Sequence, residues 1–396
     1  MVADVDSWTP VWSPDSGMIA FIVRGEGPHG QVWIVPMSGG GRPAGEPTKI
    51  EAPQGVQELH RLLGWAPGNK IGIISSSPQE FALYTVPAAG GKAAAVKIGG
   101  YATQPRWSPD GKKIYYREKD GLISFIPAEG GDAFIVPIQS ETKFVIGTFG
   151  AGLAVSPDGR RIVFSGIKTG TAGTDIWTLP IDGGTPMQLT VGSESFEDVF
   201  PCWSPDGKSI AFVRTQKDDR YWLGLRAEIY TVPAAGGEVE RITDETDQVN
   251  LQAIAWSPDG TMLAYISRDV TYLARDWKPA AGSWNVWDGS LKVYSLRERK
   301  SRAVTRVQGT VVNAELAWSP DSRRIAYNDS YLNTGPIKVV SLDDGIAEEV
   351  ETNLVDTSIC NLSWSPDGGK LAFMGWRGGG PELWLMEEFL SLVKAR

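Results

Sequence analysis

Polar and apolar residues alternate with a period of two in short stretches that recur along the whole chain: 208–213 reads KSIAFV, 261–266 TMLAYI and 323–328 RRIAYN. A period of two puts successive side chains on opposite faces, so each stretch predicts a strand with a buried face. The same phrase precedes each, as in CWSPDGKSIAF at 202–212, RWSPDGKKIYY from Arg106, AWSPDGTMLAY from Ala255 and SWSPDGGKLAF from Ser363. The residues before the phrase, such as VFPCWS at 199–204, read as a shorter strand. Ser-Pro-Asp-Gly between the two reads as a tight turn: Pro presets φ at the second place, Asp bonds its own turn, and Gly accepts positive φ. A third strand follows, as in VWIVP (32–36), IWTLP (176–180) and IYTVP (229–233), and five of these end in Pro-x-x-Gly-Gly. A weaker run such as VERIT (239–243) completes a four-stranded antiparallel unit.

The phrase occurs eight times, anchored at Trp12, Trp65, Trp107, Val155, Trp203, Trp256, Trp318 and Trp364, with steps of 42 to 62 residues. Two copies are worn: AVSPDGRRIVF has Val155 for Trp, and GWAPGNKIGII has lost Ser and Asp. One such sheet cannot bury both faces alone, so neighbours must stack. The expectation is therefore a single all-β domain over residues 1–396, an eight-bladed β-propeller of four-stranded antiparallel blades, with seven blades as the alternative. The last blade would take its outer strand from 389–394, and a chain that starts so close to an inner strand could be a piece of something longer.

Composition narrows the function classes. The chain has 46 Gly, 26 Pro and 16 Trp in 396 residues, a turn-rich globular balance. A net charge of −9 offers no basic field for phosphates, which argues against a nucleic-acid partner. No run of 18 apolar residues predicts membrane insertion, and MVADVDSWTP lacks the basic start and apolar stretch of a secretion signal. Cys202 and Cys360, far apart and without metal spacing, read as apolar side chains rather than a pair.

The phrase Trp-Ser-Pro-Asp-Gly followed by Lys/Arg-x-Ile-Ala-Phe/Tyr resembles the repeat of TolB-like β-propellers, which also occurs in the propellers of prolyl-oligopeptidase-type enzymes. The resemblance runs from Trp12 to about Leu385. It implies the fold strongly and a function weakly, because relatives serve as periplasmic adaptors, protease gates and lyases. Export to the periplasm or beyond is the localisation it implies.

Chemistry is sparsely supplied. His29 and His60 are the only histidines and fall in different repeats, and no Gly-x-Ser-x-Gly elbow occurs, so neither a nucleophile–base pair nor a histidine-rich metal site is predicted. No catalytic residue, metal or cofactor is assigned. Glu197 with Asp198, and Asn313 with Glu315, precede inner strands where chain enters the central channel. Opposed acids there could act on glycosidic bonds or could simply be hydrated.

Loop length and tryptophan point to binding. From anchor to the end of the third strand the chain takes 20 to 25 residues in repeats 1, 3 and 4, but 30 in repeat 5 and 39 in repeat 6. The added residues include TQKDDRYWLGLRAE (215–228) and RDVTYLARDWKPAAGSWNVWDGS (268–290). Six tryptophans lie outside anchors and third strands, and four of them, Trp222, Trp277, Trp284 and Trp287, are here beside Arg226. Indole and guanidinium groups together suit a recognition surface; the other reading is a lid that buries its own aromatics. Trp8, Arg61, Gln104, Phe200, Gln252 and Glu315 would form the floor of such a site. The expected function is a monomeric, non-enzymatic platform for a protein or peptide. The alternatives are a glycan-binding or glycan-cleaving propeller and the propeller part of a larger prolyl-oligopeptidase-like enzyme.

Overall fold

A computed structural model describes residues 10–23, 31–38, 44–50, 59–67, 69–76, 81–87, 94–96, 102–118, 122–139, 144–146, 152–168, 173–192, 195–216, 227–244, 247–268, 287–310, 316–328, 336–350, 358–377 and 380–387. Among these every regular element is a strand, and the sheets are antiparallel. The chain divides into two compact units, Ala3–Phe212 with Val232–Glu238, and Val213–Thr231 with Val239–Arg396 and Met1–Val2.

The expectation of eight four-stranded blades, with seven as the alternative, is overturned: among the described residues the four-stranded antiparallel blade is built six times, by repeats 1, 2, 3, 5, 6 and 7. Repeat 4 departs because its first strand is broken. Leu153–Val155 and Phe144–Ile146 each pair with a different half of Arg161–Lys168, giving a five-stranded sheet. Ile146 opposes Gly166 while Leu153 opposes Phe164, so seven steps on one side match two on the other. Repeat 8 contributes three described strands, Ser358–Trp364, Lys370–Arg377 and Gly380–Glu387. The outer strand expected at 389–394 lies outside the described residues.

Alternation along the second strands explains the stacking. In repeat 6, Ala264 and Ile266 share a buried cluster with Leu316, Trp318, Ile325 and Tyr327 of repeat 7. Ala326 of repeat 7 in turn packs with Trp364, Leu371 and Phe373 of repeat 8. The same scheme joins repeats 1 and 2 through Ala20, Ile22, Leu62 and Ile71. Small or branched residues on one face thus receive large ones from the next sheet, each worth roughly 1.5–3 kcal/mol of burial.

The anchor tryptophans add a directed bond. Trp65 Nε1 donates to the Val11 carbonyl at 2.8 Å, Trp203 to Ala154 at 3.2 Å, Trp318 to Ala255 at 3.0 Å and Trp364 to Ala317 at 2.9 Å. In each case the acceptor stands one residue before the preceding anchor. At these four anchors the indole fixes one first strand against the last, whereas the buried Nε1 of Trp107 and of Trp256 makes no such bond and those anchors act through their bulk. Val155 has no such donor.

Candidate functional site

The repeated acid builds the turn. In seven copies the Ser Oγ donates to the Asp Oδ1 two residues on, at 2.5 to 2.6 Å. That oxygen also accepts the amide two residues further, at 2.9 to 3.1 Å. The Ser Oγ accepts the amide five residues on, at 2.8 to 2.9 Å, and so locks the start of the second strand. Positive φ follows at Gly111, Gly159, Gly207, Gly260 and Gly368, and at Ser16 and Ser322 where Gly is replaced. In the worn second copy Asn69 takes this conformation, as Asn can.

These bonds favour the ionised acid. The Ser hydroxyl is the largest cause that holds Asp15, Asp110, Asp158 and Asp367 below the ordinary carboxylate value of 3.8. For Asp206, Asp259 and Asp321 partial burial is the largest influence and pushes upward, but the Ser hydroxyl and the amide together outweigh it. A lowered native pKa means stability present above the unfolded value and lost as pH falls through the native one. The urea midpoint should therefore stay level from about pH 7 to 5 and fall once pH drops below 3.8, with a shallower fall in Asp110→Asn/Asp158→Asn. A midpoint that is flat through that window would refute the assignment.

The two ends of each sheet serve different purposes. At the phrase end, cations reach the outer turn of the next repeat: Lys70 meets Glu129, Lys113 lies 3.5 Å from Asp182, and Arg161 Nη1 donates to the Ala234 carbonyl at 2.9 Å. The opposite end carries the second-to-third-strand connections. Repeat 5 breaks between Ser209–Gln216 and Ala227–Pro233, and repeat 6 between Met262–Arg268 and Trp287–Ser295, the longest such intervals in the chain.

Of the expected site residues, Trp8, Trp222, Arg226, Trp277, Trp284 and Glu315, with Asn313, lie outside the described residues. Trp287 opens the third strand of repeat 6, opposite Thr310. Arg61, Gln104 and Gln252 stand in the first strands Leu59–Ala66, Ala102–Trp107 and Gln248–Trp256. Phe200 is half-buried in Phe196–Trp203 with φ of 54°, a left-handed conformation that costs a non-Gly residue on the order of 1–2 kcal/mol. Asp198, expected where chain enters the channel, is instead fully enclosed, and its amide donates to the Thr174 carbonyl at 2.9 Å. It is a framework residue.

Both long connections rise from polar bases. In repeat 5, Arg214 lies over the Tyr230 ring at 4.7 Å, Tyr230 donates to Glu228 at 2.8 Å, and Arg241 pairs with Glu228 at 2.9 Å. In repeat 6 the carboxylate of Asp247, 1% exposed, accepts the Tyr265 hydroxyl at 2.8 Å, the Ser267 hydroxyl at 2.7 Å and the Lys292 ammonium. It also accepts the Asp244 amide at 3.0 Å. Burial is the largest influence on this acid and pushes its pKa up, but the Lys292, Ser267 and Tyr265 bonds outweigh it and leave it lowered. Burial pushes the Tyr265 phenol up. Sequence reasoning missed this cluster. Neither Tyr265 nor Lys292 marks it in the sequence, since Tyr116 and Tyr327 stand at the place of Tyr265 in copies 3 and 7, and Lys338 opposes Tyr327 as Lys292 opposes Tyr265. Among the described residues no group of His, Cys, Asp and Glu could hold a metal ion.

An all-β propeller of four-stranded antiparallel blades is thus the class that the sheets define. The sequence model described as "TolB beta propeller domain" matches residues 123–275, and over that stretch the chain is similar to it. Dipeptidyl-peptidase 5 of Porphyromonas gingivalis is 30% identical over 149 residues, a match covering 36% of this chain and 20% of that protein. The chain thus covers only a fifth of that relative's length. The C-terminal WD40 domain of Sif2 is similar in structure at a TM-score of 0.61 and 14% identity, over 96% of both chains. Oligogalacturonate lyase in complex with manganese is similar at a TM-score of 0.56 and 15% identity, over 81% of this chain and 86% of that one. Identities this low show the fold alone.

Proposed function

We propose that this protein is a non-enzymatic, exported binding platform whose ligand is a polypeptide segment or partner protein. The observation that supports the reading is the length and composition of the connections 217–226 and 269–286. They are the two longest second-to-third-strand connections, they belong to consecutive repeats of one compact unit, and they hold Trp222, Arg226, Trp277 and Trp284. Connections on a rigid frame are where recognition concentrates, and indole and guanidinium groups supply most of its energy. Trp287, Gln252 and Glu315 of the same unit are proposed as further contacts.

A second reading shares the ligand class: the propeller of a peptidase, favoured by the match to a dipeptidyl-peptidase. There the propeller would hold or admit a peptide that another domain cleaves. Both readings are tested by selecting peptides from a displayed random library on the full chain and measuring their affinity. Trp277→Ala/Trp284→Ala should weaken the selected peptides at least about tenfold, or 1.4 kcal/mol, with an unchanged unfolding midpoint. Equal binding by the double variant, or a library that yields no binder, contradicts the proposal.

A further inference from the structure

The Asp247 cluster joins three separate pieces of chain at one end of repeat 6. Asp247 belongs to the segment entering the sheet, directly ahead of Gln248–Trp256. Ser267 is the last residue but one of the second strand, Met262–Arg268, and Lys292 lies just past the middle of the third, Trp287–Ser295, opposite Tyr265. Tyr265, whose one proton goes to Asp247, accepts the Ser301 hydroxyl at 2.8 Å, and Ser301 Oγ lies 3.2 Å from the Ile242 carbonyl. Lys292 also lies 3.7 Å from Asp244, so one ammonium spans two carboxylates of the entering segment.

Around this cluster the sheet is irregular in two of its ladders: first and second strands also slip in repeats 2, 3 and 8, but among the described residues third and fourth strands slip only here. Val249 opposes Ser267 and Ile254 opposes Tyr265, so the first strand takes five steps where the second takes two. The register between the third and fourth strands shifts twice, between Trp287 and Gly289 and between Leu291 and Lys292. Ladder pairing alone fixes such an end poorly, because bulged stretches lose regular partners. A carboxylate with four donors replaces that pairing with directed bonds, and its burial makes each one costly to break.

We propose that Asp247 is a positioning residue. It holds the ends of the second and third strands of repeat 6 in one arrangement, and through them sets how tightly the peptide site is held together. The second clause rests on the binding reading given above; the first does not.

The test uses the full chain carrying Asp247→Asn with Lys292→Met, which removes both charges together and so avoids an unpaired buried ammonium. Amide exchange at 265–268 and 287–292 should quicken by about tenfold or more while exchange at Arg324–Asn328 of repeat 7 stays as it was. The selected peptides should bind about tenfold more weakly, with an unfolding midpoint close to that of the unaltered chain. Unchanged exchange at the strand ends overturns the proposal, as does quickening that extends equally to repeat 7, which is general loss of stability. Faster exchange at the strand ends with full peptide affinity overturns the link to binding. If Trp277→Ala/Trp284→Ala leaves affinity intact, the binding reading fails separately, whatever the exchange shows.

Discussion

Asp247→Ala lowers the stability of the unit that holds repeat 6 by about 3–5 kcal/mol, the scale on which a buried ion pair fails when one partner is removed. The acid is 1% exposed and its ammonium partner Lys292 is 19% exposed, so water replaces little of what is lost. Alanine leaves the Lys292 charge, the Tyr265 and Ser267 hydroxyls and the Asp244 amide without their shared acceptor. Exposed pairs behave otherwise: Lys113 with Asp182, 82% exposed at the acid, should change stability by less than about 1 kcal/mol when broken. Urea unfolding of the two variants side by side checks the contrast. A loss below about 1 kcal/mol for Asp247→Ala would show that solvent reaches the cluster.

Gly183→Ala should cost about 3 kcal/mol or more, against about 1–2 kcal/mol for Gly236→Ala at the matching place of the next repeat. Both glycines sit in a Pro-x-x-Gly-Gly turn at positive φ, 93° and 84°. A side chain at either strains the backbone, but their surroundings differ. A Cβ at Gly183 would stand 2.5 Å from both the carbonyl oxygen and Cγ of Pro137, whereas nothing lies within 4 Å at Gly236. The clash matters because the chain leaving repeat 3 is bonded to this turn. Gly184 N–H donates to Pro137 O, and Gln139 N–H to Gly184 O, both at 2.8 Å. Each such bond is worth about 1 kcal/mol net, and moving Pro137 loses them together. Thermal midpoints that coincide for the two variants would refute the close approach.

Local order was legible where it depends on neighbours in sequence. Period-two alternation gave the second strands, and Ser-Pro-Asp-Gly gave both the turn and its acid's role, because the Ser and Asp side-chain bonds that recur in all seven copies span five residues or fewer. The stacking role of the anchor tryptophans followed from their bulk, although the indole-to-carbonyl bond across repeats was not foreseeable. The blade count failed where repeats vary beyond the phrase. The pairing of Arg161–Lys168 with both Phe144–Ile146 and Leu153–Val155 in repeat 4 has no counterpart in the anchors, which are all that the count used. Asp198 was misplaced because a carboxylate ahead of an inner strand reads as exposed unless its packing is known. The Asp247 cluster joins residues up to 59 apart, such as Ser301 with Ile242, and single-sequence reading has no rule that pairs them. The strongest expected site residues, Trp222, Arg226, Trp277 and Trp284, are assigned from composition and loop length, so their role rests on measurement.

The most direct measurement is an exchange footprint of a library-selected peptide on the full chain, with the peptide recovered afterwards and weighed. Protection should fall on 217–226 and 269–286, and the peptide should come back uncut. Protection confined to the Ser-Pro-Asp-Gly end of the sheets, or a peptide recovered in pieces, would contradict a binding platform built on those two connections.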